Sequence, residues 1–165
     1  MNTETTTDIL ETVTCFLVRD DQLLLQRRPQ GRIWAGLLNG PGGKIAPGED
    51  LLDAVKREIM EETALKVHEV NPRGRIVLDV PELRPKTLAV NLFECDDFSG
   101  EADAREGDLI WYPVHALPFA EMWADQRHWL PSLLQGFSVT GEISYEAKTL
   151  RLASADLRLS FNAQS

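Results

Sequence analysis

Charged side chains that can bind a metal ion and orient phosphate lie close together between residues 57 and 62. Arg57 and Glu58 are followed by Glu61 and Glu62. Residues three and four positions apart lie side by side on a helix, so the three carboxylates share one neighbourhood. Like charges at this spacing cost about 0.2–0.5 kcal/mol per pair on an exposed helix, and more where the site is partly desolvated. A divalent cation bound between them would remove that cost.

The residue types favour Mg²⁺ or Mn²⁺, because both ions prefer hard oxygen ligands. Such ions bridge phosphate oxygens and activate water. Arg57 precedes Glu61 by four positions and is within reach to hold its carboxylate. Five glycines between Gly31 and Gly43 provide exposed backbone just before the acids, as phosphate and metal binding require. The alternative, from spacing alone, is a solvated acidic face of a helix.

A helix over residues 49–65 must position these acids. Leu52, Val55 and Ile59 recur at helical spacing and form an apolar stripe. The acidic ridge lies beside this stripe, not opposite it. We therefore expect the carboxylates to border the body of the protein, where a cleft can lie.

The remaining pattern predicts an α/β (α+β) domain with a mixed sheet, because strands surround two helices. Residues 1–10 are expected to be a flexible tail and residues 11–160 a single domain. Asp20 and Asp21 form the turn of a predicted hairpin. Pro131 must lie early in the second helix or kink it. Strands are predicted at residues 12–20, 22–28, 73–80, 87–95, 108–114, 137–145 and 148–153, and the second helix at residues 124–136.

Composition excludes some classes of function. The formal net charge of -9 argues against binding of long nucleic acid, which needs a basic face. A small phosphorylated ligand remains compatible, since a metal ion brings positive charge. No apolar run is long enough for a membrane span, and the acidic N-terminus does not resemble a signal peptide. Cys15 and Cys95 lack the spacing of a disulfide framework or zinc site, which favours a reducing, cytoplasmic setting.

The spacing of these residue types also resembles a known signature. Gly43 is followed after five residues by Glu49, and after seven more by the acidic group at residues 57–62. This pattern is similar to the motif of the Nudix (MutT-type) hydrolases. One position departs, because Ala64 stands where the family has a glycine. If the left-handed conformation is kept there, alanine costs on the order of 1 kcal/mol; otherwise the helix ends differently. Ala64 has no ligand atom, so we expect activity to be retained.

The resemblance implies a Nudix fold, in which a mixed, curved β-sheet is sandwiched between helices. It also implies a metal site for Mg²⁺, or alternatively Mn²⁺. Its ligands would be the carboxylates of Glu58, Glu61 and Glu62 and the backbone carbonyl of Gly43. Family enzymes hydrolyse a nucleoside diphosphate linked to another group, and the nucleophile is a water activated by the metal.

Two further roles follow from the same resemblance. An ion pair between Glu49 and Arg57 would orient the helix and the loop before it. Family members often add one acid from a loop outside the motif, and Glu106 is the candidate here as ligand or general base. Glu106 lies in a polar loop with other acids, so a merely solvated position remains open.

The substrate must be set by residues outside the motif. Residues 37–49 and 117–136 are similar to segments of the oxidised-purine nucleoside triphosphatases. Trp123 offers a face for stacking a base, and Asn39 offers donors and an acceptor. Asp125 can accept hydrogen bonds or, if protonated, donate one. Gln126 replaces the second of two adjacent acids in that branch, which leaves the preference between 8-oxo-guanine and 2-hydroxy-adenine open.

The function expected is hydrolysis of oxidised purine nucleoside triphosphates, such as 8-oxo-dGTP, to monophosphate and pyrophosphate. Alternatives are other Nudix substrates, including pterin triphosphates, ordinary dNTPs and dinucleotide sugars, or a non-catalytic nucleotide-binding module. Retention of the three acids argues against the last. Monomer and homodimer both remain open. Arg27, Arg28 and Arg32 are within reach of a triphosphate, whereas three other residues are expected to be structural: Trp129, His115 and His128.

Overall fold

A computed structural model describes residues 8–32, 34–83 and 86–161 of the 165-residue chain. The helices within these residues are α1 (Leu51–Thr63) and α2 (Gln126–Leu134), with a short 3₁₀ turn at Phe119–Glu121. The strands are β1 (Ile9–Arg19), β2 (Gln22–Arg27), β3 (Leu38–Asn39), β4 (Gly42–Lys44), β5 (Lys66–Asp79), β6 (Thr87–Ser99), β7 (Leu109–Pro113), β8 (Phe137–Tyr145) and β9 (Leu152–Phe161).

The strands pair into a mixed sheet, as predicted. The main order is β3-β2-β1-β6-β5-β8-β9, with β4 also paired to β1 and β7 to β2. The β1–β6 and β5–β8 pairs are parallel, and the other pairs are antiparallel. The predicted hairpin is confirmed, because Val18 lies opposite Leu23 around the turn between β1 and β2.

Alternation along the strands gives the sheet two hydrophobic faces. On β1, Phe16 packs into one core while Leu17 packs into the other. Helix α2 covers the first core with Trp129, and α1 covers the second with Val55 and Ile59. The sheet is therefore sandwiched between the two helices, which confirms the predicted architecture and the core position of Trp129.

Helix α1 begins and ends with well-defined caps. The side chain of Asp50 accepts a hydrogen bond from the backbone N–H of Leu52 at 3.0 Å. At the other end, Ala64 has a φ of 65° and its N–H donates to the carbonyl of Met60 at 3.0 Å. The left-handed cap of the family motif is thus kept without its glycine.

The predicted bounds of two segments differ from the observed ones, one at the N-terminal strand and one at a central strand of the sheet. Ile9 and Leu10 were expected in the tail, but they pair with β6. That assignment was wrong for these two residues, and the rest of the predicted tail, residues 1–7, lies outside the described residues. The strand predicted at residues 73–80 is the second half of β5, which begins at Lys66. Bulges interrupt the β5–β6 register, and they hide the alternation of the first half.

The last predicted strand was also misplaced. Residues 148–153 were expected to be extended, but Lys148 and Leu150 have positive φ values and belong to the turn between β8 and β9. The strand runs over Leu152–Phe161 and is exposed along most of its length, so burial imposes little apolar alternation on it. Helix α2 is shorter than predicted at both ends, and Pro131 lies inside it. In the described part of the chain, no helix is long and apolar enough to cross a membrane.

The left-handed cap at Ala64 predicts a stabilising substitution. Ala64→Gly removes the contact between the Cβ and the backbone at positive φ, and we expect it to raise the free energy of unfolding by about 0.5–1 kcal/mol in urea. Ala54→Gly is the matched control, since Ala54 is buried within the same helix and the change should cost about 1 kcal/mol. Equal destabilisation by both changes would contradict the conformational argument.

Candidate active site

The acids predicted from the sequence meet in one cleft of about 600 Å³. Glu58, Glu61 and Glu62 of α1 line it, and Glu106 lines it from the loop before β7. Gly43 lies at the same end, on β4. The structure therefore brings together the three motif carboxylates, the predicted glycine and the acid predicted from outside the motif.

Arg57 holds two of these carboxylates, those of Glu58 and Glu61, in place. Its Nε and Nη2 donate to the two carboxylate oxygens of Glu49 at 2.7 and 2.8 Å, which forms the predicted ion pair in bidentate geometry. Its Nη1 donates to Glu58 at 3.0 Å and to Glu61 at 3.2 Å. Nη2 also reaches the carbonyl of Lys44 at 3.1 Å. One guanidinium thus links the loop, β4 and the acidic face of α1.

The two glycines of β4 allow the acids to approach the backbone. A Cβ at Gly43 would lie 2.4 Å from a carboxylate oxygen of Glu58, so any side chain would displace it. A Cβ at Gly42 would lie 1.9 Å from the carbonyl oxygen of Val13 on β1. With this close packing, the N–H of Gly42 donates to Glu62 at 3.3 Å. Both glycines are required sterically.

Burial and mutual repulsion leave the acids of α1 poorly compensated. Desolvation raises the pKa of Glu62 to about 7, and the charges of Glu106 and Glu58 add to the shift against the opposing hydrogen bond from Gly42. Desolvation also raises the pKa of Glu58, although Arg57 acts in the other direction. By contrast, hydrogen bonds from Arg57 and from the backbone of Ala46 lower the pKa of Glu49 to about 2.

This donor set suits a hard divalent cation. Carboxylate and carbonyl oxygens at one end of the cleft are the ligands that Mg²⁺ and Mn²⁺ prefer, and Glu58 and Glu62 are each only 9 % exposed. Within residues 8–32, 34–83 and 86–161, no three acidic, histidine or cysteine side chains already converge as a ligand cluster. The reason is visible in the contacts, because Arg57 holds Glu58 and Glu61 while Gly42 holds Glu62.

Aromatic and polar side chains also line the cleft. Trp123 and Asn39 both line it, as expected of base-binding residues. Trp34 lines it as well and meets Trp123 edge to face, with ring centroids 3.9 Å apart and an interplanar angle of 87°. Sequence reasoning did not single out Trp34. The available signal for Trp34 was its position in a glycine-rich loop. A large aromatic side chain in such a loop does not belong to the packing face of a helix or strand, which makes it a candidate for lining a binding site.

Asp125 and Gln126 are placed differently from the prediction. Neither is among the residues that line the cleft. Asp125 is 1 % exposed, and its carboxylate accepts hydrogen bonds from Trp129 Nε1 at 2.8 Å and from the hydroxyl of Tyr145. Burial raises the pKa of this carboxyl group. Gln126 lies behind Asn39 and donates to its Oδ1 at 2.6 Å.

Of the three predicted arginines, two reach the cleft. Arg28 and Arg32 line it together with Lys44. Desolvation and the neighbouring charge of Arg32 lower the pKa of Arg28. Arg27 instead donates to the carbonyl of Gly36 at 2.7 Å and pairs with Glu121 at 3.4 Å. The cleft thus carries cationic groups as well as the acids, which suits an elongated, phosphorylated ligand.

Comparison with known proteins gives consistent matches. Residues 9–133 match the family model of the NUDIX domain. The chain is 31 % identical over 134 residues to the oxidized purine nucleoside triphosphate hydrolase of Mus musculus, across 81 % of this chain and 85 % of that protein. The protein of the same name from Danio rerio is 31 % identical over 132 residues, across 79 % and 83 %. A solved MutT protein from Bacillus halodurans superposes with a TM-score of 0.76 at 25 % identity, across 90 % of this chain and 97 % of that one.

The raised pKa of Glu62 predicts a pH-dependent stability in metal-free buffer. Between about pH 4.5 and 7 the unfolded chain releases a proton that the folded chain keeps at Glu62, so this group lowers the free energy of unfolding as pH rises. Glu62→Gln should remove that loss and be more stable than the parent by about 1–3 kcal/mol above pH 7, but not below pH 4.5. Urea unfolding with a chelator present, from pH 4.5 to 8, measures the difference.

Glu61→Gln is the control on the same helix. The Glu61 side chain is 58 % exposed, so its loss should change the free energy of unfolding by less than about 0.5 kcal/mol at each pH. An unchanged pH profile in Glu62→Gln would contradict the assignment.

Proposed function

Because this chain belongs to the Nudix hydrolase family, we propose that it hydrolyses oxidised purine nucleoside triphosphates, such as 8-oxo-dGTP, to the monophosphate and pyrophosphate. Its MutT-like relatives act on nucleoside triphosphates or related pyrophosphates, and it shares their α+β fold. The observation that carries the proposal is one cleft that is lined both by the motif acids and by Trp123 and Asn39.

The acidic end supports metal-dependent chemistry. Nudix hydrolases generally use divalent metal ions. We propose Mg²⁺ here, with Mn²⁺ as a substitute, held by Glu58, Glu61, Glu62 and the carbonyl of Gly43. The bound ion supplies positive charge to the phosphate oxygens and lowers the pKa of the attacking water.

The protein's own groups prepare this end of the cleft. Arg57 fixes the orientation of Glu58 and Glu61 through direct hydrogen bonds. Gly43 lets the Glu58 carboxylate pack directly against its backbone, because no side chain separates them. Glu106 lines the cleft from the loop before β7, and its exposed carboxylate takes the role of proton acceptor for the attacking water.

The remaining lining residues support a nucleotide substrate. Trp123 is half-buried, and base stacking on such a ring contributes about 1–3 kcal/mol in other proteins. Asn39 contacts the base edge, while Arg28, Arg32 and Lys44 compensate the phosphates. The names of the relatives in Mus musculus and Danio rerio favour an oxidised purine as that base.

One observation favours a second candidate, another nucleoside or pterin triphosphate. Asp125 corresponds to an acid that the resemblance assigns to the base, yet its carboxylate is buried against Trp129 and Tyr145. Base recognition by this acid therefore requires a rearrangement, whereas a substrate that does not need it can use the cleft directly. A non-catalytic binding module is disfavoured, because the motif acids are all retained.

We also propose a biological setting for this activity. Removal of oxidised nucleotides from the precursor pool protects DNA synthesis, and we place it in the cytoplasm. The reducing conditions expected there agree with Cys15 and Cys95, which are both free and buried.

Release of pyrophosphate by the purified protein with Mg²⁺ tests the proposal directly. The substrates are 8-oxo-dGTP, 2-hydroxy-dATP, dGTP and a panel of other nucleoside and pterin triphosphates. We expect the highest kcat/KM for an oxidised purine. Glu58→Gln and Glu62→Gln should each lower kcat by about 100-fold or more, because each removes a carboxylate that holds the metal ion.

Asp53→Asn is the control, since Asp53 is an exposed acid of the same helix that does not line the cleft. It should keep activity within about twofold, in line with its distance from the chemistry. Glu106→Gln should fall between the two classes if this residue is the proton acceptor. Equal turnover of oxidised and ordinary purines would reject the substrate, while full activity of Glu58→Gln and Glu62→Gln would reject the site.

A further inference from the structure

A chain of hydrogen bonds fixes Asn39, one of the residues that line the cleft. The backbone N–H of Gly40 donates to Asn39 Oδ1 at 2.7 Å. Gln126 Nε2, from the first turn of α2, donates to the same oxygen at 2.6 Å. The oxygen of Asn39 therefore accepts two hydrogen bonds and has no lone pair left for a ligand.

The backbone N–H of Gly40 fixes the orientation of both amides. Since that N–H only donates, the atom of Asn39 that faces it must be the oxygen. The atom of Gln126 that approaches this oxygen must then be a donor, which is Nε2. A 180° flip of either amide group would place two donors or two acceptors opposite each other.

The nitrogen of Asn39 is what remains for the cleft. Asn39 lines the cleft, and its Nδ2 makes no hydrogen bond to any residue that the structure describes. Gln126 is only 3 % exposed and lies behind it. A ligand at this position therefore contacts the two N–H donors of Asn39. Gln126 influences such a ligand only by orienting these donors.

The Gln126 amide contributes little net stability. Its Oε1 is buried and has no hydrogen-bond partner within the described ranges. The loss of hydration at this oxygen offsets what the hydrogen bond from Nε2 provides. A purely structural role would be filled as well by an apolar side chain of the same length, so the defined contribution of this amide is to hold Asn39.

We propose that Gln126 is a positioning residue that turns the donors of Asn39 toward the cleft, so that the enzyme prefers bases presenting a carbonyl oxygen to Asn39. A 6-oxopurine presents such an oxygen, whereas a 6-aminopurine presents an amino group and places donor against donor. This inference rests on the proposed function, since it takes the cleft as the site of the base. The mismatch is expected to lower kcat/KM by about 10–100-fold.

The decisive substrates are 8-oxo-dGTP and 8-oxo-dATP. They share the oxidised five-membered ring and differ at the edge of the six-membered ring. We expect a kcat/KM ratio of about 10 or more in favour of 8-oxo-dGTP, expressed mainly in KM. Asn39→Asp keeps an oxygen for Gly40 and Gln126 but replaces the donors with an acceptor, so it should reverse the ratio toward 8-oxo-dATP.

Two substitutions separate positioning from packing. Gln126→Met keeps length and packing but loses the donor, so the ratio should fall at least threefold while the midpoint of urea unfolding stays the same or rises. Gln126→Glu brings a carboxyl group that donates only when protonated. Its ratio should therefore be low at pH 8 and recover at pH 5.5, whereas the parent ratio should change less. Gln135→Glu, at the exposed C-terminal cap of the same helix, is the control and should behave as the parent.

The outcomes distinguish this inference from the proposed function. Turnover of 8-oxo-dGTP and 8-oxo-dATP at equal rates would overturn the inference and leave the function standing. A preference for dGTP over dATP that Asn39→Asp reverses, without preference for oxidised bases, would support the inference and reject the oxidised substrate. Tryptophan fluorescence titrations with 8-oxo-dGMP and 8-oxo-dAMP repeat the comparison without turnover. Equal affinities there, no binding at all, or an unchanged ratio in the Gln126 variants would overturn it.

Discussion

The hydrogen bonds of Arg57 are the interaction on which the rest of the site depends. One guanidinium contacts Glu49, Glu58, Glu61 and the carbonyl of Lys44. These partners belong to the loop before α1, to α1 itself and to β4. Without this planar group, the carboxylates of Glu49, Glu58 and Glu61 would lose the cationic partner that they share. Lysine could not replace it, because a single ammonium does not offer donors in so many fixed directions.

The negative charges of this site are only partly compensated by positive charge within the protein. Arg57 compensates Glu49 fully, Glu58 and Glu61 in part, and does not contact Glu62. The close packing of Gly42 and Gly43 then desolvates the acids that have least compensation. Such a cluster destabilises the folded chain on its own. A protein keeps local conflicts of this kind mainly where function requires them, and here they create an affinity for positive charge beside the acids of α1.

Local periodicity was enough to predict the features that depend on one element. The spacing of Glu58, Glu61 and Glu62 placed them correctly beside the stripe of Val55 and Ile59, because one helix fixes both. The environment of Asp125 could not be predicted in this way. Its environment is made by Tyr145, twenty positions later in sequence, whose hydroxyl approaches it only once α2 packs on β8. Trp34 was missed for a related reason, since its partner Trp123 comes from a distant loop. Strand β9 is exposed along most of its length, so burial did not impose the apolar alternation from which a strand can be predicted.

The parallel pairing of β1 with β6 has a consequence for how the chain is made. Thr12 on β1 donates to the carbonyl of Ala89 on β6, which is 77 positions further along. At about 5–20 residues per second, the ribosome needs roughly 4–15 s to synthesise the segment between them. During that interval β1 can pair with β2 and β4 but exposes the edge that β6 will later cover. The strand that supports the glycine-rich wall of the cleft thus keeps one edge unpaired while the nascent chain grows, and an unpaired edge of this kind can bind wrong partners.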